Sequence, residues 1–232
     1  LGAPRGECVA SRGVVPRPFS GGPTPDVFLH LLAPEPAPKT VPGDATHVFW
    51  GDERYVPSDS EASNYRLVAE TFLTRVEIPE TNVHPIPTGY EDIGEAARSY
   101  ERTIRDVFRL REGEVPQFDL VILGMGSDGH TASLFPGSLA MYEMEHLACA
   151  VDAAIAKSVS PAVDRITLTR PVLLAARKLV VQVSGRQKAQ TLKNVLTGEP
   201  DEAKYPIHVL WPVLDRVLWL VDREVAGETG GA

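Results

Sequence analysis

The run Phe118-Asp119-Leu120-Val121-Ile122-Leu123, followed by Gly124-Met125-Gly126-Ser127-Asp128-Gly129-His130, constrains the fold more than any other part of this chain. A short, nearly continuous apolar run suits a strand covered on both faces, and strands of that kind belong to parallel sheets flanked by helices. The glycines that follow let the backbone turn sharply and come close to a ligand. The turn delivers Asp128 and His130 to the carboxyl end of the strand, where open α/β sheets place their ligands.

The rest of the chain repeats this alternation. Residues 47–50, 118–123, 147–151, 165–168, 179–183 and 217–221 read as strands. Residues 62–75, 93–111 and 186–196 read as helices, the second with Ala96, Tyr100, Ile104, Val107 and Phe108 at helical spacing. The pattern predicts an α/β chain with a mostly parallel sheet and helices on both faces. At 232 residues and 43% hydrophobic content it fits one domain, expected over 19–226. Pro4, Gly13, Pro16 and Pro18 interrupt the start, so 1–18 predicts no regular element, and the glycine-rich 227–232 reads as a flexible tail.

A net charge of -8 argues against general affinity for nucleic acid or membrane surfaces, both of which call for basic excess. Any anionic substrate must then be held by a local positive cluster. Two cysteines, Cys8 and Cys149, are too few for a disulfide framework, and the six histidines show no metal-ligand spacing, so no metal site is expected. No run reaches membrane-spanning length and no secretory signal opens the chain, which predicts a cytoplasmic protein.

The glycine turn admits several readings. Gly124, Gly126 and Gly129 satisfy G-x-G-x-x-G, and Asp152 lies roughly twenty residues on, as a dinucleotide fingerprint requires. Against that, Asp128 would set a negative charge beside a pyrophosphate, and Pro136 cuts the following helix short. Acid/base work on a small polar substrate suits the Asp-Gly-His order better. In the plainest reading Asp128 caps a short helix and His130 is a surface residue.

Three other segments point to the same end of the sheet. Ser20-Gly21-Gly22-Pro23-Thr24-Pro25 is a glycine loop opening a helix, with Thr24 as N-cap and Pro25 at the first helical position. It is a plain cap or, through its free amides and hydroxyls, a phosphate seat. Lys188 follows Ser184-Gly185 at the start of another helix, where a cation opposes the dipole; it is there to bind an anion or is a solvated lysine that costs little. Arg165 opens its strand and is a second cation for that anion or a surface partner of Asp164. Asp52-Glu53-Arg54, directly after the strand ending at Trp50, is a solvated loop or a polar cluster facing His130.

Taken in order, Ser20-Gly21-Gly22-Pro23-Thr24-Pro25, Asp52-Glu53-Arg54, Ser63-Asn64-Tyr65, the run 118–137, Arg165-Ile166-Thr167-Leu168-Thr169 and Gly185-Arg186-Gln187-Lys188-Ala189 closely resemble the 6-phosphogluconolactonase family. The resemblance covers the chain from about Phe19 to Asp222. It implies a three-layer Rossmann-like fold shared with glucosamine-6-phosphate deaminase. It also implies hydrolysis of 6-phospho-D-glucono-1,5-lactone to 6-phosphogluconate, in the oxidative pentose phosphate pathway, with no metal or organic cofactor. The chain departs from the family before Phe19, where an opening helix and an apolar strand are expected. Deaminases of this type carry Asn-Glu-Pro in place of Leu134-Phe135-Pro136 and a Tyr in place of Arg54, so both positions favour the lactonase.

On that resemblance and the residue chemistry together, His130 is the expected base for water, since imidazole titrates near neutrality. Arg54 and amides near Gly126 are the expected oxyanion donors. Asp128 or Asp52 orients the imidazole or binds sugar hydroxyls. Ser20, Gly21, Gly22, Thr24, Arg165 and Lys188 are expected to hold the phosphate. The expected partner is a small phosphorylated sugar lactone, taken by a monomer or weak dimer coupled to glucose-6-phosphate dehydrogenase. A sugar-phosphate-binding protein without catalysis is the alternative of a different class, and it has no need of His130.

Overall fold

The structure, a computed structural model, describes residues 12–15, 43–156 and 159–229. Its strands are β1 (Arg12–Val15), β2 (His47–Trp50), β3 (Asp52–Arg54), β4 (Val83–His84), β5 (Leu120–Gly124), β6 (Ala148–Val151), β7 (Arg165–Leu168), β8 (Leu179–Val183) and β9 (Val217–Val221). The α-helices described are α1 (Asn64–Thr71), α2 (Ile93–Phe108), α3 (Arg170–Ala175), α4 (Ala189–Thr197) and α5 (Arg223–Thr229). Short 3-10 turns extend two of the helices expected from sequence, Leu73–Arg75 after α1 and Arg186–Lys188 before α4.

Six strands form one sheet in the order β4-β2-β1-β5-β8-β9, and every neighbouring pair is parallel. Counted within that sheet, the order is the doubly wound 3-2-1-4-5-6, whose direction of winding reverses between the first and fourth strands. Here those strands are β1 and β5, so the switch point lies at the carboxyl end of β5, where the glycine turn begins. The apolar run behaves as its composition requires: Val121, Ile122 and Leu123 are all buried. No helix among the described residues is long and apolar enough to cross a membrane.

Two expectations need correction. Arg12–Val15 is a strand, and a central one, pairing with β2 on one side and β5 on the other. Its own residues give little strand signal; the template is the pair of apolar strands beside it, a case of tertiary context overriding local preference. The second correction concerns 147–151 and 165–168, which do not join the parallel sheet. They form β6 and β7 of a separate antiparallel sheet, in the order β3-β7-β6. A parallel pairing needs a crossover, usually helical, and between β6 and β7 the described residues form only turns and bends.

The chain passes from one sheet to the other at Gly51, the only residue between β2 and β3. That switch is pinned by α2. Its buried face carries Ala96, Ala97, Tyr100, Glu101 and Ile104. The Tyr100 hydroxyl accepts from the Trp50 amide at 2.9 Å and donates to the Trp50 carbonyl at 2.8 Å. Tyr100 and Trp50 are both fully buried, so both backbone groups of the last β2 residue depend on this one oxygen for that bond. Tyr100→Phe keeps the ring and removes the oxygen. It is expected to cost roughly 1–3 kcal/mol, the penalty for orphaning buried polar groups. Urea unfolding with an unchanged denaturant slope is the check, and a loss within error would show that Trp50 finds other partners.

Candidate active site

The turn after β5 is built around its glycines. The Gly126 carbonyl accepts from the Gly129 amide at 3.0 Å, and the Gly126 amide donates to the His130 carbonyl at 2.9 Å, closing the turn on itself. Gly129 has φ +77, and a Cβ there would lie 2.7 Å from the Tyr205 ring. A Cβ on Gly126 would overlap His130 Cε1 and Nδ1 and come within 2.7 Å of Asp128 Oδ1. Gly126 is therefore required for clearance. Its amide donates to the His130 carbonyl, so of the amides near Gly126 expected as oxyanion donors this one is engaged within the turn.

No helix follows the turn. Residues 131–134 close a small bridge, Thr131 to Leu134, with Ala132 at φ 46. The next helical residues are the 3-10 turn Leu139–Tyr142. A dinucleotide unit needs a full helix at this place. Asp152, moreover, leaves β6 in the antiparallel sheet. The G-x-G-x-x-G pattern here is a tight turn and no dinucleotide cradle.

Asp128 and His130 are directly bonded. Asp128 Oδ1 lies 2.5 Å from His130 Nδ1 and also accepts from the His130 amide at 3.1 Å. A carboxylate only accepts, so Nδ1 carries the proton and Nε2 presents its lone pair. The ring is 2% exposed and packs against Phe135 with centroids 4.4 Å apart. Of the two acids left open by the sequence, Asp128 is the one that holds the imidazole.

Asp52 has another partner. Its Oδ2 accepts from Ser133 Oγ at 2.5 Å, while the Ser133 amide donates to Thr167 Oγ1 at 3.1 Å. Asp52 and Thr167 are opposite each other in the β3–β7 ladder, and Arg54 is opposite Arg165. Residues opposite each other or two apart on a strand share one face of a sheet, so Asp52, Arg54, Arg165 and Thr167 all project from the same side. Arg54 Nη1 donates to the Ala62 carbonyl at 2.6 Å, and Arg165 Nη2 to the Pro161 carbonyl at 3.1 Å. The Arg165 guanidinium also lies 5.7 Å from the Phe135 centroid. Phe135 thus neighbours both the imidazole and one of the two guanidiniums, and Arg54 and Arg165 stand as a buried cationic pair.

Glu53 points to the other face and does different work. It caps α1: Oε1 accepts from the amides of Arg54 and Asn64, and Oε2 from the amide of Tyr65 and the Ser63 hydroxyl. Ser63 in turn caps the Arg66 amide at 3.2 Å, as its sequence position suggests. Asp52-Glu53-Arg54 is therefore a buried strand and no solvated loop.

Lys188 is buried at the start of α4, one strand over from the glycine turn. Thr191 Oγ1 of α4 donates to the Ser127 carbonyl at 2.7 Å, which ties that helix to the turn. Ser20, Gly21, Gly22 and Thr24 lie outside the described residues. Cys149 carries no reactive chemistry, since burial pushes its thiol up to about 12. Sequence reading missed Ser133, taken as part of a helix, and Thr167 and Tyr205, which meet the turn only through the fold. The alternation of polar and apolar residues in Arg165-Ile166-Thr167-Leu168 was the available hint for Thr167.

This geometry can be set beside known proteins. The family model for glucosamine-6-phosphate isomerases/6-phosphogluconolactonase matches residues 5–219. The chain belongs to that family. Among its relatives, the 6-phosphogluconolactonase of Synechocystis sp. is 37% identical over 222 residues, covering 96% of this chain and 87% of that protein. The 6-phosphogluconolactonase of Mycobacterium tuberculosis is 34% identical, covering 96% and 88%. The solved 6-phosphogluconolactonase of Trypanosoma brucei superposes with a TM-score of 0.77 at 30% identity, over 94% of this chain and 86% of that one. A monomeric glucosamine-6-phosphate deaminase shares the fold alone, with a TM-score of 0.74 at 19% identity. Family members thus share the doubly wound architecture, and the chemistry of each rests on the residues its crevice carries.

On the other face of β3, Glu53 is a buried carboxyl expected to titrate in the neutral range. Burial outweighs its backbone hydrogen bonds and raises the carboxyl from 4.5 to about 7. The unfolded chain binds that proton only below its lower value. Between the two values the folded state holds more protons, so this group makes stability fall as pH rises, with its full cost present above about 7. Glu53→Gln is expected to flatten that part of the profile, even while it weakens the cap. Urea unfolding of both proteins at several pH values is the measurement, and parallel profiles would show that Glu53 does not titrate in this range.

Proposed function

We propose that this chain hydrolyses 6-phospho-D-glucono-1,5-lactone to 6-phospho-D-gluconate, with His130 as general base. The observation that carries the reading is the Asp128–His130 pair at 2.5 Å, which fixes Nδ1 as the protonated nitrogen and leaves Nε2 basic at the switch point of the sheet. Water attacks the lactone carbonyl as Nε2 takes its proton. The tetrahedral intermediate expels the ring oxygen, which takes the proton back from the imidazolium, and the product acid ionises. Charge builds on the carbonyl oxygen in the first step. Arg54 is the donor assigned to it, a role in which one well-placed group is worth roughly 3 kcal/mol.

The phosphate is assigned to Arg165 and Lys188 together with Ser20, Gly21, Gly22 and Thr24. Support for this comes from two buried cations in a chain of net charge -8. Deamination of an amino sugar is disfavoured by the apolar Phe135 ring against His130, because that reading wants a carboxyl at this position to relay protons.

His130→Ala is expected to leave the fold intact and lower the hydrolytic rate by roughly two or more orders of magnitude, the range for a general base. The rate must be taken above spontaneous opening of the lactone. Near-native turnover would remove His130 from the mechanism. Arg165→Ala and Lys188→Ala are each expected to raise KM for the phosphorylated lactone by about tenfold to a hundredfold, the equivalent of a lost charge-assisted bond. They should change little for unphosphorylated gluconolactone. Equal losses on both substrates would assign the two residues to structure.

A further inference from the structure

The proposed reaction divides its working groups between two sheets. The base sits on the turn after β5, in the parallel sheet, and Arg54 and Arg165 project from β3 and β7 of the antiparallel one. Strands β3 and β7 have their ladder partners within their own sheet, so contacts of the turn with the small sheet bear on the distance between base and cations. Ser133 makes two such contacts. Its hydroxyl donates to Asp52 on β3, and its amide to Thr167 on β7.

We infer that Ser133, gripped by the facing pair Asp52 and Thr167, is a positioning residue that sets His130 at working distance from the Arg54–Arg165 pair. Three observations carry this. Asp52 and Thr167 are directly opposite in the ladder, so Ser133 is held at two points of one rung and cannot slide along either strand alone. The neighbouring rung on the same face is Arg54 opposite Arg165, about 7 Å further along the strands at some 3.3 Å per residue. Ser133, Thr167 and Asp52 are at most 1% exposed, so water does not compete for these bonds.

Ser133 is three residues beyond His130, and the bridge from Thr131 to Leu134 makes the segment between them compact. A shift at Ser133 is therefore passed to the imidazole. The same segment carries Phe135, whose ring centroid is 4.4 Å from that of His130 and 5.7 Å from the Arg165 guanidinium. The grip is assigned a geometric role: Ser133 bonds to Asp52 and Thr167, while the bond to the imidazole Nδ1 comes from Asp128.

This inference rests on the hydrolytic reading, and its test separates the two. Lactone hydrolysis, thermal unfolding and inhibition by inorganic phosphate are to be measured for the unmodified protein and for Ser133→Ala, Thr167→Val and Thr167→Ser. Ser133→Ala and Thr167→Val are expected to lower kcat by roughly tenfold to a hundredfold, the loss that follows a misplacement near 1 Å. The inhibition constant for phosphate and the midpoint of the pH–rate profile should stay where the unmodified protein has them. Thr167→Ser keeps the accepting oxygen and should recover most of kcat.

Lower melting temperature with unchanged kcat in both deletions would reduce the grip to a structural contact and overturn the inference. Weakened phosphate inhibition in step with kcat would overturn it too, by placing Ser133 in support of the phosphate site. If Ser133→Ala does not fold, the contrast between Thr167→Val and Thr167→Ser decides alone, and equal losses in that pair end the proposal. An unmodified protein without lactonase activity would remove the hydrolytic reading itself, before any variant is compared.

Discussion

The pairing of Arg54 with Arg165 across β3 and β7 is the arrangement on which the rest of the site depends. Two guanidiniums on one buried face repel each other and lose hydration, a cost partly offset here by their bonds to the Ala62 and Pro161 carbonyls. Here the backbone is fixed from several sides. Gly51 carries the chain from one sheet to the other, Tyr100 holds Trp50 at the end of β2, and Glu53 gathers two amides and a hydroxyl at the start of α1 besides the Arg54 amide of its own strand. The polar order Asp-Glu-Arg then follows from strand alternation. Glu53 goes to the helix, while Asp52 and Arg54 go to the face that meets the glycine turn.

That turn is fitted to the face by clearance as much as by bonds. Gly126 leaves room for the imidazole and Gly129 for Tyr205, so two absent side chains determine where a present one sits. Tyr205 belongs to a distant segment, and the Ile207 amide from the same segment donates to the Gly129 carbonyl at 2.9 Å. The turn is therefore enclosed by the small sheet through Ser133, by α4 through Thr191 and by the 205–207 segment. Rigid support from three directions is what a base needs if its geometry is to be ready before substrate arrives.

Much of this was legible in the chain. The strands at His47–Trp50, Arg165–Leu168, Leu179–Val183 and Val217–Val221 occupy the residues that their apolar pattern predicts, and α2 keeps the expected helical face. The adjacency of Asp128 and His130 on a glycine turn was legible as a base beside an acid, but the choice between Asp128 and Asp52 as the partner of the imidazole was not. Other features were not local. The Arg12–Val15 strand is interrupted by glycine and flanked by proline, and it exists because β2 and β5 offer it two ladders. Ser133 looked like part of a short helix because small and apolar residues follow His130 in close succession. The structure uses them as a bridged turn, because Ala132 adopts a left-handed conformation that no residue-type rule demands of alanine.

The sequence by itself determined an α/β chain with one dominant glycine turn, a base beside an acid, and scattered basic residues able to oppose an acidic overall charge. It determined these because hydrophobic periodicity, glycine and short-range spacing act within a few residues of one another. Only the tertiary structure decided that the strands divide into a parallel and an antiparallel sheet, that Arg54 meets Arg165, and that Asp128 holds the imidazole while Asp52 holds Ser133. The meeting of Arg54 with Arg165 and of Asp52 with Ser133 depends on register between segments far apart in the chain, and with Asp52 so engaged the imidazole is left to Asp128. A shift of one residue in the β3–β7 pairing would exchange Arg54 for Glu53 on the working face, and nothing in either strand's own composition forbids it.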